Sequence, residues 1–393
     1  MRLLVIACAL LALPSFAASV TVGCPGGTPG DFTSINAAVA SLDLDGPHTV
    51  TVSGTCTENV FLNQRERLTI QGPATIIGSG IAVAIRDGNV ILRNLVVRGT
   101  LTGIQVADNG ALTMSGTTVE NANNFALDVI GNASAVIGGP NPDDAVVLRN
   151  SGGGMRCESC VAFFPGWVTI ENNTGNAGLV VEGGRVETFG QRPASSIGPV
   201  QGGPTIIRNN FNGVSITNRG IFETGRVNFI QNNAASGILA TDGTARLVAT
   251  TLPDGTPMGT IVENNARNGV SALFNATFSA SGPNIIRSNG SAADPLRAGV
   301  SATHSSVVTI TGGEITGSTG PGISADSISS VRLNGVSISG NSEEAVRLLH
   351  GSLLDSVGGN TIPAPSVTCD GTSIAHGSFT GVAAFECEKA TKK

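Results

Sequence analysis

The sequence predicts an all-β fold, a parallel β-helix in which about eleven coils stack into one solenoid. Three observations predict it. A small residue followed by an aliphatic one recurs at a basic spacing of 23 or 24 residues, the segments between alternate polar and apolar residues, and Gly or Asn separates those segments. With 53 Gly, no Tyr and 13% charged residues, the composition favours short strands and tight turns over helices.

The recurring aliphatic residue marks one position of each coil, which we call the anchor. The anchors are Ile81, Ile104, Leu127, Met155, Leu179, Val214, Ile238, Val270, Val300, Ile323 and Val346. Each coil supplies three short strands, as in 214–216, 221–222 and 227–229. Because every coil advances in the same direction, each strand should pair in parallel with the coils above and below it, at roughly 4.8 Å.

The N-terminal residues predict export. Met1 and Arg2 precede an apolar run over 3–13, which Pro14 and small residues up to 18 follow. This is the arrangement of a secretory signal peptide, so we assign 1–18 to it and expect a secreted protein, periplasmic or extracellular. No later apolar run approaches the roughly 18 residues needed to span a bilayer.

A second regularity closes the coils. Residue pairs ending in Asn recur at 172–173, 209–210, 232–233, 264–265 and 288–289. Because Asn tolerates left-handed backbone and bonds neighbouring groups, we expect stacked Asn side chains along one corner. The residue before these pairs often changes the sign of its charge between coils, so we interpret this row as structural ion pairs. The row reads Arg149, Glu171, Arg208, Gln231, Glu263 and Arg287.

Two N-terminal segments add to the repeat. Gly-Asp-Phe-Thr-Ser-Ile at 30–35 leads into Ala-Ala-Val-Ala-Ser-Leu at 37–42, and Gly-Thr-Cys-Thr-Glu-Asn-Val follows at 54–60. With the repeat over about 30–365, they resemble the right-handed parallel β-helix superfamily that includes pectate lyases, pectinesterases and polygalacturonases. The resemblance implies a right-handed coil whose first turn is capped by an amphipathic helix. It implies no particular activity, because the Asn-Thr-Asp, Gly-His-Gly and Arg-Ile-Lys triplets of polygalacturonases are absent.

We therefore expect four segments: a signal peptide at 1–18, an N-terminal cap with the amphipathic helix at 19–47, the β-helix at 48–365 and a C-terminal cap pinned by a disulfide at 366–393. Export permits disulfides, and six cysteines remain after signal removal. We predict one disulfide between Cys24 and Cys56 at the N-terminal end and another between Cys369 and Cys387 at the C-terminal end. We predict that Cys157 is buried, with Cys160 as its candidate disulfide partner.

One group of ionisable residues stands out on the predicted outer face. The second and fourth residues of the first strand should point outward, which places Asp128, Arg156, Glu158 and Glu182 on three successive coils. Glu158 and Glu182 should lie about 5 Å apart and repel, so that one protonates or a cation bridges them. The four are our candidate catalytic residues, and Glu158 and Glu182 are a candidate Ca²⁺ site. The structural alternative is a solvated patch of salt bridges.

Charge and residue placement limit the function further. A net charge of −6 without a basic run disfavours nucleic acid. The histidines fall on scattered coils, which disfavours a histidine metal site; they are His48, His304, His350 and His376. The leading hypothesis is a non-catalytic, monomeric surface protein that contacts polysaccharide along its side. The alternative is a divergent lyase or hydrolase acting on acidic glycans, and an adhesin is a third possibility.

Overall fold

The computed structural model describes residues 17–188, 203–225, 227–251, 257–291, 297–362, 367–377 and 379–380. Within them the strands pair in parallel, with one short antiparallel exception, and coil into a parallel β-helix. The predicted all-β class with parallel, stacked strands is confirmed, because the strands of one coil pair in parallel with those of neighbouring coils.

The strands are numbered in chain order. The first thirteen are β1 Ala18–Gly23, β2 Asp45–Thr57, β3 Val60–Asn63, β4 Glu66–Gly78, β5 Ile81–Arg86, β6 Asn89–Gly99, β7 Thr102–Ala107, β8 Ala111–Ser115, β9 Thr118–Glu120, β10 Phe125–Ile130, β11 Ser134–Ile137, β12 Val146–Arg149 and β13 Gly153–Glu158. The next thirteen are β14 Val161–Phe163, β15 Val168–Glu171, β16 Leu179–Glu182, β17 Arg185–Thr188, β18 Thr205–Arg208, β19 Val214–Thr217, β20 Ile221–Thr224, β21 Asn228–Gln231, β22 Ile238–Thr241, β23 Thr244–Val248, β24 Thr250–Thr251, β25 Pro257–Met258 and β26 Ile261–Glu263. The remaining strands are β27 Val270–Leu273, β28 Thr277–Ser281, β29 Ile285–Arg287, β30 Val300–Thr303, β31 Val307–Thr311, β32 Glu314–Thr316, β33 Ile323–Ala325, β34 Ser330–Asn334, β35 Ser337–Ser339, β36 Val346–Leu348, β37 Leu353–Ser356, β38 Val367–Cys369 and β39 Ile374–Gly377.

Three ladders of parallel strands run along the stack. The first ladder contains the predicted first strands, in the order β3, β5, β7, β10, β13, β16, β19, β22, β27, β30, β33, β36 and β38. The second ladder runs through β1, β2, β4, β6, β8, β11, β14, β17, β20, β23, β28, β31, β34, β37 and β39. The third uses the later halves of β2, β4 and β6, then β9, β12, β15, β18, β21, β26, β29, β32 and β35. The predicted three strands per coil are thereby found.

The predicted anchor register is confirmed from Ile104 to Val346, because each anchor in that range lies opposite the next one. Ile81 is wrong. Val83 lies opposite Ile104, and Ile81 lies opposite Thr102. The pattern could not decide between them, because 81–85 is apolar throughout and so does not show which residues point inward.

The Asn residues that end the predicted pairs form a buried ladder. The side-chain amide of Asn233 donates to Oδ1 of Asn265 at 2.8 Å, and that of Asn265 donates to Oδ1 of Asn289 at 2.9 Å. This ladder explains why glycine precedes the anchors that lie beside it. A Cβ added to Gly237 would lie 2.7 Å from Nδ2 of Asn265 and 2.7 Å from the carbonyl oxygen of Gly269. The two sequence motifs therefore describe one packed corner.

The ion-pair row next to this ladder is confirmed. Glu171 contacts Arg208 at 2.7 Å and Glu263 contacts Arg287 at 2.7 Å, each across one coil. Arg149 pairs with Glu120 of the preceding coil at 2.8 Å. Pairs of this kind stabilise by only a fraction of a kcal/mol each when exposed, roughly 0.2–1 kcal/mol.

A single short α-helix, α1, precedes β2 within the described part of the chain and spans Ile35–Ala40. The Ser34 hydroxyl accepts the N–H of Ala37, and the Glu58 carboxylate accepts the N–H of Ile35 at 2.7 Å. Both contacts satisfy donors that the start of a helix leaves free. The segment predicted as the cap also contains β1, which pairs with β2.

Two of the predicted disulfides are confirmed, Cys24–Cys56 and Cys157–Cys160. Cys157 is fully buried and lies opposite Val181, as its inward position predicts. Cys369 is in a disulfide, and its predicted partner Cys387 lies outside the described residues. Among the described residues, no helix is long and apolar enough to cross a membrane.

Candidate functional site

The four predicted site residues lie together on the outer face of the first ladder. Asp128 in β10 lies opposite Arg156 in β13, and Arg156 lies opposite Val180 in β16, two residues before Glu182. Glu158 lies two residues after Arg156 on the same strand and is exposed, as its outward position predicts. Strand alternation therefore predicted the location of this patch, which we call the acidic patch.

Within the acidic patch, Asp128 and Arg156 form a bidentate ion pair. Nε and Nη2 of Arg156 donate to the two oxygens of Asp128 at 2.8 and 3.0 Å, and Asp128 is only 2% exposed. Nη1 of Arg156 lies 3.1 Å from Glu158, and its Cζ lies 5.4 Å from the ring centroid of Phe125. The hydrogen bonds from Arg156 to Asp128 raise the pKa of Arg156 despite partial burial, with help from the charges of Asp128, Glu158 and Glu182. The arrangement is a locally satisfied charge network.

A Ca²⁺ ion at Glu158 and Glu182 remains a prediction. Ca²⁺ takes six to eight oxygen ligands. Among the described residues, the only group that brings three candidate ligand atoms within 4.8 Å of one another is Cys24, Cys56 and Glu58, and its two sulfurs are joined in a disulfide. A cation at the acidic patch would therefore need water or ligand oxygens to complete its coordination.

A second feature, a groove of about 470 Å³, lies further along the same face. We call it the central groove. Its floor consists of outward residues of the first ladder, and its two walls are the turns before and after those strands. The lining residues are Phe211, Asn212, Ala235, Ser236, Leu239, Arg267, Asn268, Ser271, Leu273, Phe274, Ser301, Thr303, His304 and Asp326.

Aromatic rings stand on both walls of the central groove. Phe211 precedes β19 on one wall and is 46% exposed, and Phe274 follows β27 on the other and is 50% exposed. The ring of His304 stacks on Phe274 with centroids 4.5 Å apart and an interplanar angle of 27°. Exposed rings at a concave surface offer flat apolar contact area to a ligand.

A buried polar cluster joins one wall of the central groove to its floor. The amide Nδ2 of Asn268 donates to Ser271 Oγ at 2.8 Å, and Ser271 Oγ lies 3.3 Å from Ser236 Oγ. Asn268 is only 6% exposed, yet its Oδ1 accepts no hydrogen bond from the described residues. A buried acceptor without a partner costs about 1–3 kcal/mol of stability.

A charged pair closes one end of the central groove. His350 Nδ1 donates to Asp326 Oδ1 at 2.6 Å, and Ser327 Oγ donates to the same oxygen at 3.2 Å. Burial opposes ionisation of Asp326, but the hydrogen bonds from His350 and Ser327 outweigh it and lower the pKa of Asp326. The hydrogen bond to Asp326 raises the pKa of His350, and Asp370 adds a second nearby negative charge.

The sequence interpretation missed the central groove, although a signal for it was present. Phe274 and His304 stand four residues after the paired anchors Val270 and Val300, and His350 stands four residues after Val346. His304 and His350 lie on different coils, as the sequence predicted, but they occupy the same corner two coils apart. The offset from each anchor, rather than spacing along the chain, shows which corner residues meet.

Comparisons with known proteins assign the chain to no family. No protein-family model matches the chain, and no curated protein matches it. Among solved structures, the chain is similar to the A-module of mannuronan C-5 epimerase AlgE4 from Azotobacter vinelandii, with 12% identity over 90% of this chain and 94% of that chain and a TM-score of 0.44. The A-module of mannuronan C-5 epimerase AlgE6 from Azotobacter vinelandii gives 12% identity, 88% and 94% coverage and a TM-score of 0.41. The catalytic domain of a GH87 alpha-1,3-glucanase gives 12% identity, 83% and 67% coverage and a TM-score of 0.31. These values indicate no activity for this chain.

Proposed function

We propose that this protein binds a glycan in the central groove without cleaving it. The observation that carries the proposal is the combination of aromatic walls with a hydroxyl-lined floor. The stacked pair of Phe274 and His304 offers a flat face to the C–H side of a sugar ring, and the partly exposed Ser301 and Thr303 offer hydroxyls to its edges. Sugars combine these two kinds of surface in every ring.

The charges in the central groove favour binding over cleavage. Asp326 is the single carboxylate among the described lining residues, whereas glycoside hydrolases canonically place two carboxyl groups across the bond they break. The pKa of Asp326 is lowered, so this group is ionised at neutral pH and is a poor proton donor. It can accept hydrogen bonds from sugar hydroxyls.

The alternative proposal is a divergent lyase or hydrolase that uses the acidic patch on acidic glycans. Its support is the proximity of Asp128, Arg156, Glu158 and Glu182. It has less support than the binding proposal, because Arg156 already satisfies both oxygens of Asp128. A substrate carboxylate would have to compete for that guanidinium.

The setting we propose is extracellular or periplasmic. The two disulfides fit an oxidising compartment, and the N-terminal residues read as a signal peptide. We further propose a monomeric rod of about eleven coils in which α1 caps the N-terminal end and a disulfide pins the C-terminal end.

The test is calorimetric titration of the exported protein with a panel of neutral and acidic oligosaccharides, while reducing ends and unsaturated products are followed. We expect saturable binding to at least one glycan and no product. Phe274→Ala should weaken that binding about tenfold, because it removes the ring that stacks under the sugar.

The matched control is Phe61→Ala. Phe61 is also an exposed aromatic residue of the first ladder, 57% exposed, but it lies in β3, outside the central groove. Its replacement should leave affinity unchanged. Product release, or equal losses from both variants, would contradict the proposal.

A further inference from the structure

Along the first ladder, the outward residues in line with the floor of the central groove are uncharged over five successive strands. Ser215, Leu239, Ser271, Ser301 and Ser324 lie opposite one another from coil to coil. The residue two positions later is also uncharged in three of these strands, at Thr241, Leu273 and Thr303, whereas after Ser324 it is Asp326.

Charged residues lie at both ends of this uncharged floor. At one end Glu182 lies opposite Thr217, and at the other Arg347 lies opposite Ser324. Arg347 contacts Glu343 and Glu344, each at 2.7 Å. The change in character is therefore a property of the middle coils and is absent from the flanking parts of the same ladder.

Ionisable groups in the central groove stand on its walls and at its end. Arg267, His304 and Asp326 are the ionisable members among the fourteen lining residues that the structure describes. A polyuronate carries one negative charge on every sugar and needs repeated cations to offset desolvation. The floor offers hydroxyls instead, and Asp326 would repel a carboxylate placed beside it.

The length of the central groove also matters. Its lining residues come from five successive coils, from Phe211 to Asp326, and four steps at roughly 4.8 Å each give about 19 Å along the stack. This length suits an oligosaccharide better than a single sugar. The two aromatic walls can then contact different units of one chain.

From these observations we infer that the ligand is a neutral oligosaccharide, a chain of sugars without carboxylate groups, bound along the stack across the middle coils. This inference rests on the proposed glycan-binding function and specifies its ligand class. Asp326 acts in it as a specificity residue, which accepts a hydrogen bond from a hydroxyl and excludes acidic sugars. The sequence-based expectation of an acidic glycan is tied to the acidic patch, a separate surface.

The experiment compares linear neutral gluco-oligosaccharides of several linkages with oligogalacturonate and oligomannuronate of matched length. We expect at least one neutral series to bind about tenfold more tightly than either uronate series. Asp326→Asn should strengthen uronate binding several-fold, because it removes the repelling charge while keeping the size of the side chain. Asp355→Asn, on the second ladder, is the matched control and should change neither affinity.

Each outcome is decisive. Tighter uronate binding that Phe274→Ala weakens would overturn the neutral class but leave glycan binding in the central groove intact. Binding of neither class would overturn both proposals. Equal uronate affinity before and after Asp326→Asn, with circular dichroism showing a folded protein, would remove Asp326 as the specificity residue.

Discussion

At the scale of single residues, the buried carboxylate of Asp128 depends on Arg156 for compensation. A carboxylate that is 2% exposed has lost most of its hydration, and the bidentate contact with Arg156 replaces it. Removing the Arg156 cation alone should therefore lower the free energy of unfolding by more than the net contribution of the ion pair. The reason is that the change leaves an unpaired charge in a buried position.

We predict that Arg156→Met lowers the free energy of unfolding by about 2 kcal/mol, a value reduced because Arg156 is partly exposed. Adding Asp128→Asn should recover part of this loss, since it removes the stranded charge. The measurement is urea unfolding of the two single variants and the double variant as a double-mutant cycle. Strictly additive losses would contradict the prediction.

The control for this cycle is an exposed pair on the same ladder. Arg86 and Asp108 lie 3.7 Å apart, and both side chains are more than half exposed. Arg86→Met should change the free energy of unfolding by less than about 0.5 kcal/mol. The contrast separates a buried charge from a surface salt bridge of the same composition.

Sequence reasoning placed Asp128, Arg156 and Glu158 on one face but did not predict which of them pair. Alternation along a strand fixes the side of the sheet, and register fixes the neighbour across it. It does not fix the rotamer. Arg156 turns toward Asp128 and the ring of Phe125, a choice set by packing that no spacing encodes.

At the scale of elements, the turns after the first-ladder strands carry most of the chemistry that sequence reasoning missed. They are also where non-glycine residues adopt left-handed backbone, with φ of 52° at Phe274, 54° at His304 and 50° at His350. The shared left-handed conformation places these side chains at equivalent corner positions, where Phe274 stacks on His304 and His350 contacts Asp326. The strands were predictable from period two, whereas the corners obey only the offset from the anchor.

The corner that contains His350 should respond to pH. The hydrogen bond to Asp326 comes first among the causes that raise the pKa of His350 above 6.5, and the hydrogen bonds that Asp326 accepts lower the pKa of that carboxyl below 3.8. The contribution of His350 to folding stability is fully present below pH 6.5 and is lost as pH rises through its raised folded-state pKa. The contribution of Asp326 to folding stability is present above pH 3.8 and is lost as pH falls through its lowered pKa.

We therefore predict that this contact is strongest between about pH 4 and pH 6.5. An NMR titration should show His350 with a midpoint above 6.5, and Asp326→Asn should lower that midpoint. The control Asp355→Asn, which removes a carboxylate paired with Arg332, should leave the midpoint of His350 unchanged. A midpoint at or below 6.5 in the wild type would refute the assignment.

At the scale of the whole molecule, the repeat made the fold predictable before any structural detail was known. One anchor per coil, three strands and a corner of Asn are sufficient, because each coil is stabilised mainly by its neighbours. Ile81 was misplaced because the apolar segment 81–85 carries no alternation. The central groove was not foreseen because it arises only when side chains from five coils are brought together.

A solenoid is least protected at its ends, because a terminal coil has one neighbour instead of two. The disulfide Cys24–Cys56 lies at the N-terminal end, with a sequence separation of 32 residues, and links the segment before α1 to β2. Cys157–Cys160 lies in the interior of the stack and spans only three residues. On the chain-entropy account, the longer loop constrains the unfolded chain more.

We accordingly predict different effects from removing the two disulfides. Cys24→Ala with Cys56→Ala should lower stability by about 3 kcal/mol, whereas Cys157→Ala with Cys160→Ala should lower it by less than about 2 kcal/mol through the loop term. Hydrogen exchange should show the first loss as faster exchange confined to β1, β2 and α1, because coils further along keep both neighbours. The second variant should leave that end protected and serves as the matched control. Uniformly faster exchange along the whole chain in the first variant would mean that the coils unfold as one unit, and it would contradict the view that each coil is stabilised by its immediate neighbours.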